Sequence, residues 1–138
     1  SENEFVKSFV NQTDWNPKLP TPYLVEGDDE LISIAKANDF LYGVTATATG
    51  FYGPQGRILR LGISDENLNE KLTNFRFDDL KITNFEMETS AIYGLAKLMN
   101  HRALTINCII ANRVTGDFSK NAQQSIKKLI ETVLEIYI

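Results

Sequence analysis

Leu104-Thr105-Ile106-Asn107-Cys108-Ile109-Ile110-Ala111 is apolar throughout except at Thr105 and Asn107, the mark of a strand covered on both faces. Residues 88–99, just before it, place Ala91, Ile92, Leu95, Ala96 and Met99 on one helical stripe. Residues 122–137, after it, hold Ile126, Leu129, Ile130, Val133, Leu134 and Tyr137 in the same register. Helix, buried strand and helix in succession predict an α/β fold with a largely parallel sheet. Working toward the N-terminus, residues 82–85 form a short apolar segment, 66–75 a helix and 58–61 a short strand. Residues 41–49 alternate threonine with small apolar side chains and predict a further strand. Asp28-Asp29 stands where an N-cap belongs, ahead of Leu31, Ile32, Ile34 and Ala35. Tyr23-Leu24-Val25 suits a brief strand, and Phe5, Val6, Phe9 and Val10 suit a short helix over 4–11. Between them, residues 14–22 carry three of the four prolines and read as an extended loop, because proline fixes φ and removes a donor.

The chain has 138 residues, the length of one domain spanning 1–138. Hydrophobic residues are 43% and charged residues 23%, a globular rather than a disordered balance. Fourteen basic against 18 acidic side chains give a net charge of −4, so nucleic acid, which needs clustered positive charge, is not an expected partner. No apolar run approaches the ~20 residues of a membrane span. Ser1-Glu2-Asn3-Glu4 is acidic and lacks the basic start of a signal peptide. Cys108, the one cysteine, lies in the apolar run and reads as a small buried hydrophobe. A reduced, cytoplasmic setting is the expectation. His101 falls in a polar turn with no general-base partner nearby in sequence, and no Cys, His and carboxylate set has metal-ligand spacing.

Ligands of such sheets collect at the carboxyl ends of strands, and three segments there carry useful chemistry. In Phe51-Tyr52-Gly53-Pro54-Gln55-Gly56-Arg57 the glycines lack dinucleotide-binding spacing. Phe51 offers a stacking face, Gln55 a donor beside an acceptor, and Arg57 a fork of donors. Together they match the edge of an imide ring; a surface hairpin with scattered polar residues is the plainer alternative. Asn84-Phe85-Glu86-Met87-Glu88 sets two carboxylates at a strand-to-helix junction, suited to a vicinal diol or to an ordinary acidic first turn. Asn112-Arg113 closes the apolar strand, as a cap or as a ligand contact.

At these residues the chain resembles the nucleoside phosphorylase family, and within it the C-terminal half of the uridine phosphorylases. The resemblance rests on Gly43-Val44-Thr45-Ala46-Thr47 leading to Phe51-Tyr52, then Gly53-Pro54-Gln55-Gly56-Arg57, Asn84-Phe85-Glu86-Met87-Glu88 and Ile109-Ile110-Ala111-Asn112-Arg113. It implies the C-terminal part of a three-layer phosphorylase-type fold with a mixed, largely parallel central sheet. It also implies phosphorolysis of uridine to uracil and ribose 1-phosphate, with phosphate a co-substrate, no cofactor and no metal. A dimer-based homo-oligomer, up to a hexamer, belongs to the same implication. Catalytic roles would fall to Arg57 and Glu88. Substrate would be held by Thr47, Phe51, Gln55, Arg57, Glu86, Met87, Glu88, Ile110, Ala111 and Arg113. Gln55 and Arg57 would take the uracil edge, Phe51 its face, and Met87 and Glu88 the ribose hydroxyls. Ile110 and Ala111 would line the base pocket, with Arg113 supporting the far carbonyl. Purine-using relatives tend to place an Asp near Asn112, so the amide favours a pyrimidine. Family members are typically nearly twice this length, and the half that brings their phosphate loop is not recognisable before Trp15. The implied reading is the nucleoside side of a site without its phosphate side, with a non-catalytic nucleoside-binding chain and a purine or methylthioadenosine nucleosidase as alternatives.

Overall fold

The computed structural model describes all 138 residues. Five helices and three strands follow one another as α1 (Glu2–Gln12), α2 (Asp29–Ala37), β1 (Val44–Thr47), α3 (Leu68–Asn74), β2 (Arg76–Phe77), β3 (Leu80–Glu86), α4 (Thr89–Leu98) and α5 (Ala122–Tyr137). The sheet runs β1-β3-β2 and is mixed. β1 lies parallel to β3, with Thr45 opposite Asn84 and Thr47 opposite Glu86. β2 and β3 form an antiparallel hairpin, Arg76 opposite Lys81 and Phe77 opposite Leu80. Its two-residue turn is Asp78-Asp79, and Asp78 takes φ 51, a left-handed conformation that aspartate tolerates better than most residues.

The core is aromatic and lies between α1, the turn after α3, and β2. Phe75 is 0% exposed. Its ring stands edge-on to Phe5 and Phe9, with centroids 5.2 Å apart in each case. Phe77 packs on Phe5 at 5.2 Å, and Trp15 on Phe9 at 5.7 Å. Gln12 at the end of α1 continues the edge of β2: its amide donates to the Arg76 carbonyl at 2.7 Å and accepts from the Arg76 amide at 3.2 Å. The proline-rich stretch is thereby a strap between α1 and α2, with Trp15 folded back into the core.

α2 begins as its sequence dictates, with the Asp28 carboxylate accepting from the Leu31 amide at 3.0 Å. Arg102 reaches Asp28 at 3.0 Å and Glu30 at 3.1 Å. Its guanidinium, with help from the Leu31 amide, holds the Asp28 carboxyl below the usual range. Tyr137 ties α5 to α2 by donating to the Leu31 carbonyl at 2.7 Å.

Three expected strands do not form. Residues 23–25 and 58–61 have no ladder partner, and residues 41–49 contract to β1. Residues 104–111 are the larger correction. They run without strand pairing, held by the Thr105 amide donating to the Tyr93 hydroxyl at 2.8 Å and by a single bridge from Ala111 to Phe118. Nor are they covered on both faces, for Ile109 is 57% exposed. Their apolarity expresses a demand for cover, and a strand also needs a neighbour whose backbone completes its hydrogen bonds. The same excess is visible globally: the accessible surface is 10231 Å², against ~7200 Å² for a compact monomer of 15.6 kDa. Outward-facing Leu95, Leu98, Met99, Ile130 and Leu134 account for part of it. No helix is long and apolar enough to cross a membrane.

Candidate functional site

β1 and β3 end side by side, so whatever follows each strand emerges at the same place. After β1 the chain turns through a short helical turn, Gly53–Gln55. Gly56 then adopts φ 69, the left-handed geometry that glycine supplies without steric cost. This reversal sends Gln55 inward, where it is 3% exposed. Arg113 meets it there: one guanidinium nitrogen donates to the Gln55 main-chain carbonyl at 3.0 Å, and another donates to the Gln55 side-chain oxygen. Arg113 also lies over the Phe85 ring, 5.4 Å from its centroid. Residues 51–57, 84–88 and 112–113, separate in sequence, therefore converge.

Arg57 completes the group, its guanidinium 3.8 Å above the centre of the Phe51 ring. That is a face the sequence reading offers to a base, so a stacked ligand would use the other face or displace the arginine. The Arg57 Nε is buried and has no partner. Neither Arg57 nor Arg113 is in an ion pair. Burial, followed by repulsion from Arg57, lowers the affinity of Arg113 for its proton. Two guanidinium groups held close together without a carboxylate make a spot complementary to a planar anion rich in carbonyl oxygens.

The strand-to-helix junction is differently organised. Glu86 accepts from the Thr47 hydroxyl at 2.6 Å and from the main-chain amides of Glu88 and Thr89, each at 2.7 Å. Burial pushes the Glu86 carboxyl up, but these donors together outweigh it and hold the group below its ordinary value. Glu88 is exposed, and its carboxylate accepts only from the neighbouring Met87 amide at 3.2 Å. Met87 projects beside it, also exposed. On the third segment Ile110 and Ala111 are exposed, and the Asn112 side-chain oxygen accepts from the Val114 amide at 2.9 Å. That bond leaves the Asn112 amide group turned toward donation.

Thr89 and Ser90 escaped the sequence reading, which quoted Phe85 within a site segment but gave it no role. Phe85 carries Arg113, and the Ser90 amide donates to the Thr47 hydroxyl at 3.1 Å. Only adjacency to Glu86 and Glu88 hinted at them. His101 lines a separate cleft with Glu26, Asp29, Tyr93 and Lys97.

The sheet-end placement and this polar constellation agree with a family match that covers almost the whole chain: residues 3–137 fit the Phosphorylase superfamily, and the chain belongs to that superfamily. A uridine phosphorylase of Thermococcus kodakarensis is 36% identical over an alignment of 88 residues, with 59% of this chain and 29% of that protein covered. The chain thus corresponds to well under two thirds of that relative's length. No solved structure matches.

Proposed function

We propose that this chain forms the nucleoside side of a uridine phosphorylase site, as the C-terminal part of a three-layer subunit whose phosphate-binding groups lie outside these residues. The observation that carries the reading is the pair of unneutralised guanidiniums, Arg57 and Arg113, gathered around buried Gln55. In phosphorolysis a phosphate oxygen attacks C1′ of the ribose as the C1′–N1 bond breaks. The bonding pair leaves with uracil, which departs as an anion and is then protonated. Negative charge grows on the two carbonyl oxygens and the ring nitrogens, where Gln55, Arg57 and Arg113 can meet it. Positive charge grows on the ribose, beside the carboxylate of Glu88. Interactions that strengthen as charge develops are the ones that lower a barrier. Phe51 and Phe85 supply flat apolar walls, and Ile110 and Ala111 the remaining side of the base pocket. Phosphate is the second substrate, and the reaction as written calls on no cofactor. A cytoplasmic homo-oligomer acting in pyrimidine salvage fits the same reading.

A second reading is a nucleoside-binding chain without turnover. One experiment separates the two. Uracil release from uridine is followed, with and without phosphate, for the native-length protein and for the isolated 138 residues. Phosphate-dependent turnover by the native-length protein alone supports the proposal. Binding of uridine by the native-length protein with no turnover by either supports the second reading.

A further inference from the structure

We propose that Glu86 acts as a positioning residue for the ribose-binding turn and is not itself a ligand of the sugar, an inference that rests on the nucleoside reading above. An ionised carboxylate offers about four acceptor positions, and three of those on Glu86 are already taken. One oxygen receives the Thr47 hydroxyl at 2.6 Å, and the other receives the amides of Glu88 and Thr89 at 2.7 Å each. Little capacity is left for the two hydroxyl protons of a diol.

These bonds close a ring. Thr47, the last residue of β1, donates to Glu86, the last residue of β3. Glu86 gathers the first free amides of α4, and the Ser90 amide returns to the Thr47 oxygen at 3.1 Å. The parallel register that sets Thr47 opposite Glu86 makes the ring possible. Two side chains and three main-chain amides thereby brace two strand ends and a helix start against one another, beside the Ala48 amide's bond to the Glu86 carbonyl at 2.7 Å. Tyr23 adds an outer brace, donating to the Ser90 hydroxyl at 2.9 Å.

The residue that gains is Glu88. Its amide is held by Glu86, whereas its carboxylate is exposed and has one weak local partner. The backbone from which Met87 and Glu88 project is therefore fixed, and the Glu88 oxygens stay open to solvent and ligand. The two carboxylates of Glu-x-Glu divide the work. The first anchors the turn with its charge against the helix N-terminus, and the second faces outward.

The test uses the native-length enzyme and measures kcat and KM for uridine, Kd for free uracil, and amide hydrogen exchange. Glu86→Ala should lower kcat/KM for uridine by at least about 10-fold, within the hundredfold that a 1 Å misplacement can bring. Affinity for uracil, which has no ribose, should stay within about twofold, the scatter of independent sites. In a Glu88→Ala background the same change should cost less than about threefold, because residues that act through one another are not additive. Glu86→Gln, which keeps an acceptor for the two amides, should recover most of the loss. Without any ligand, the amides of Glu88, Thr89 and Ser90 should exchange faster in Glu86→Ala while α5 exchanges as in the parent. If Glu86→Ala does not fold, Thr47→Val opens the same ring and should give the same pattern at smaller size. Full additivity with Glu88→Ala, or an equal loss of uracil and uridine affinity, overturns the proposal. So does unchanged exchange at the turn. A parent enzyme that binds neither uracil nor uridine sinks the nucleoside reading instead, and the exchange result then reports on the brace separately.

Discussion

Arg113→Ala removes the side chain that joins two of the three site segments. The guanidinium makes two hydrogen bonds to Gln55, each of the charge-assisted kind worth about 1.5–3 kcal/mol. Gln55 is 3% exposed, so its side-chain oxygen would be left unsatisfied, at a cost of about 1–3 kcal/mol. The loop 51–57 would relax to rehydrate that oxygen, drawing Arg57 away from the base edge. A lost donor to a developing anion costs about 2.7–4 kcal/mol of transition-state stabilisation, which is roughly 100- to 1000-fold in kcat/KM. Arg113→Lys should recover little, since an ammonium cannot span both Gln55 oxygens as the planar fork does. Initial rates of uracil release across a uridine titration would supply kcat and KM for all three proteins. Near-parental kinetics in Arg113→Ala, with circular dichroism showing a native fold, would refute the argument that Arg113 organises the base edge.

Phe75→Ala empties the centre of the aromatic core and should destabilise the protein by about 3–5 kcal/mol in urea titration, with its helices otherwise intact. The hydrogen-bonded Glu86 has a folded-state affinity for protons below that of the unfolded chain. Its contribution is therefore complete above the unfolded value of about 4.3 and is lost as pH falls through the lower folded value. Denaturation midpoints between about pH 6 and pH 3 should accordingly fall less steeply in Glu86→Gln than in the parent. Asn112 can donate a hydrogen bond but cannot protonate a departing purine, so kcat/KM for uridine should exceed that for inosine or adenosine by at least about 100-fold. Comparable rates in parallel assays would leave the superfamily standing and remove uridine.

What the sequence could disclose followed from local rules. The stripe over 122–137 coincides with α5, and Asp28 caps α2 as its position implies. The convergence of 51–57 with 84–88 was also legible, because parallel strands deliver their carboxyl ends to one edge; 112–113 joins them through Arg113 without the strand expected to carry it. The hairpin of β2 and β3 was not, since two residues of strand are too short for any alternation to register. The extent of 104–111 as a strand failed for another reason: apolar composition is local, whereas pairing depends on a neighbour. The same limit hid the Thr47–Glu86 bond, which joins residues 39 apart, and the seating of Arg113 on Gln55, 58 apart. Residue types suggested what each side chain can do, and the fold determined which partner claimed it.

The unpaired course of residues 104–111 has a practical meaning for anyone who produces this chain. The segment contains neither a charge nor a proline, the two usual gatekeepers against intermolecular β-pairing. Wherever its backbone stays uncovered, a second molecule can lay a strand along it, and the net charge of −4 supplies only modest repulsion. The isolated chain should therefore aggregate more steeply with concentration than its composition suggests. A lysine at Asn107, which is exposed, would interrupt that growth without touching Gln55, Arg57, Glu88 or Arg113.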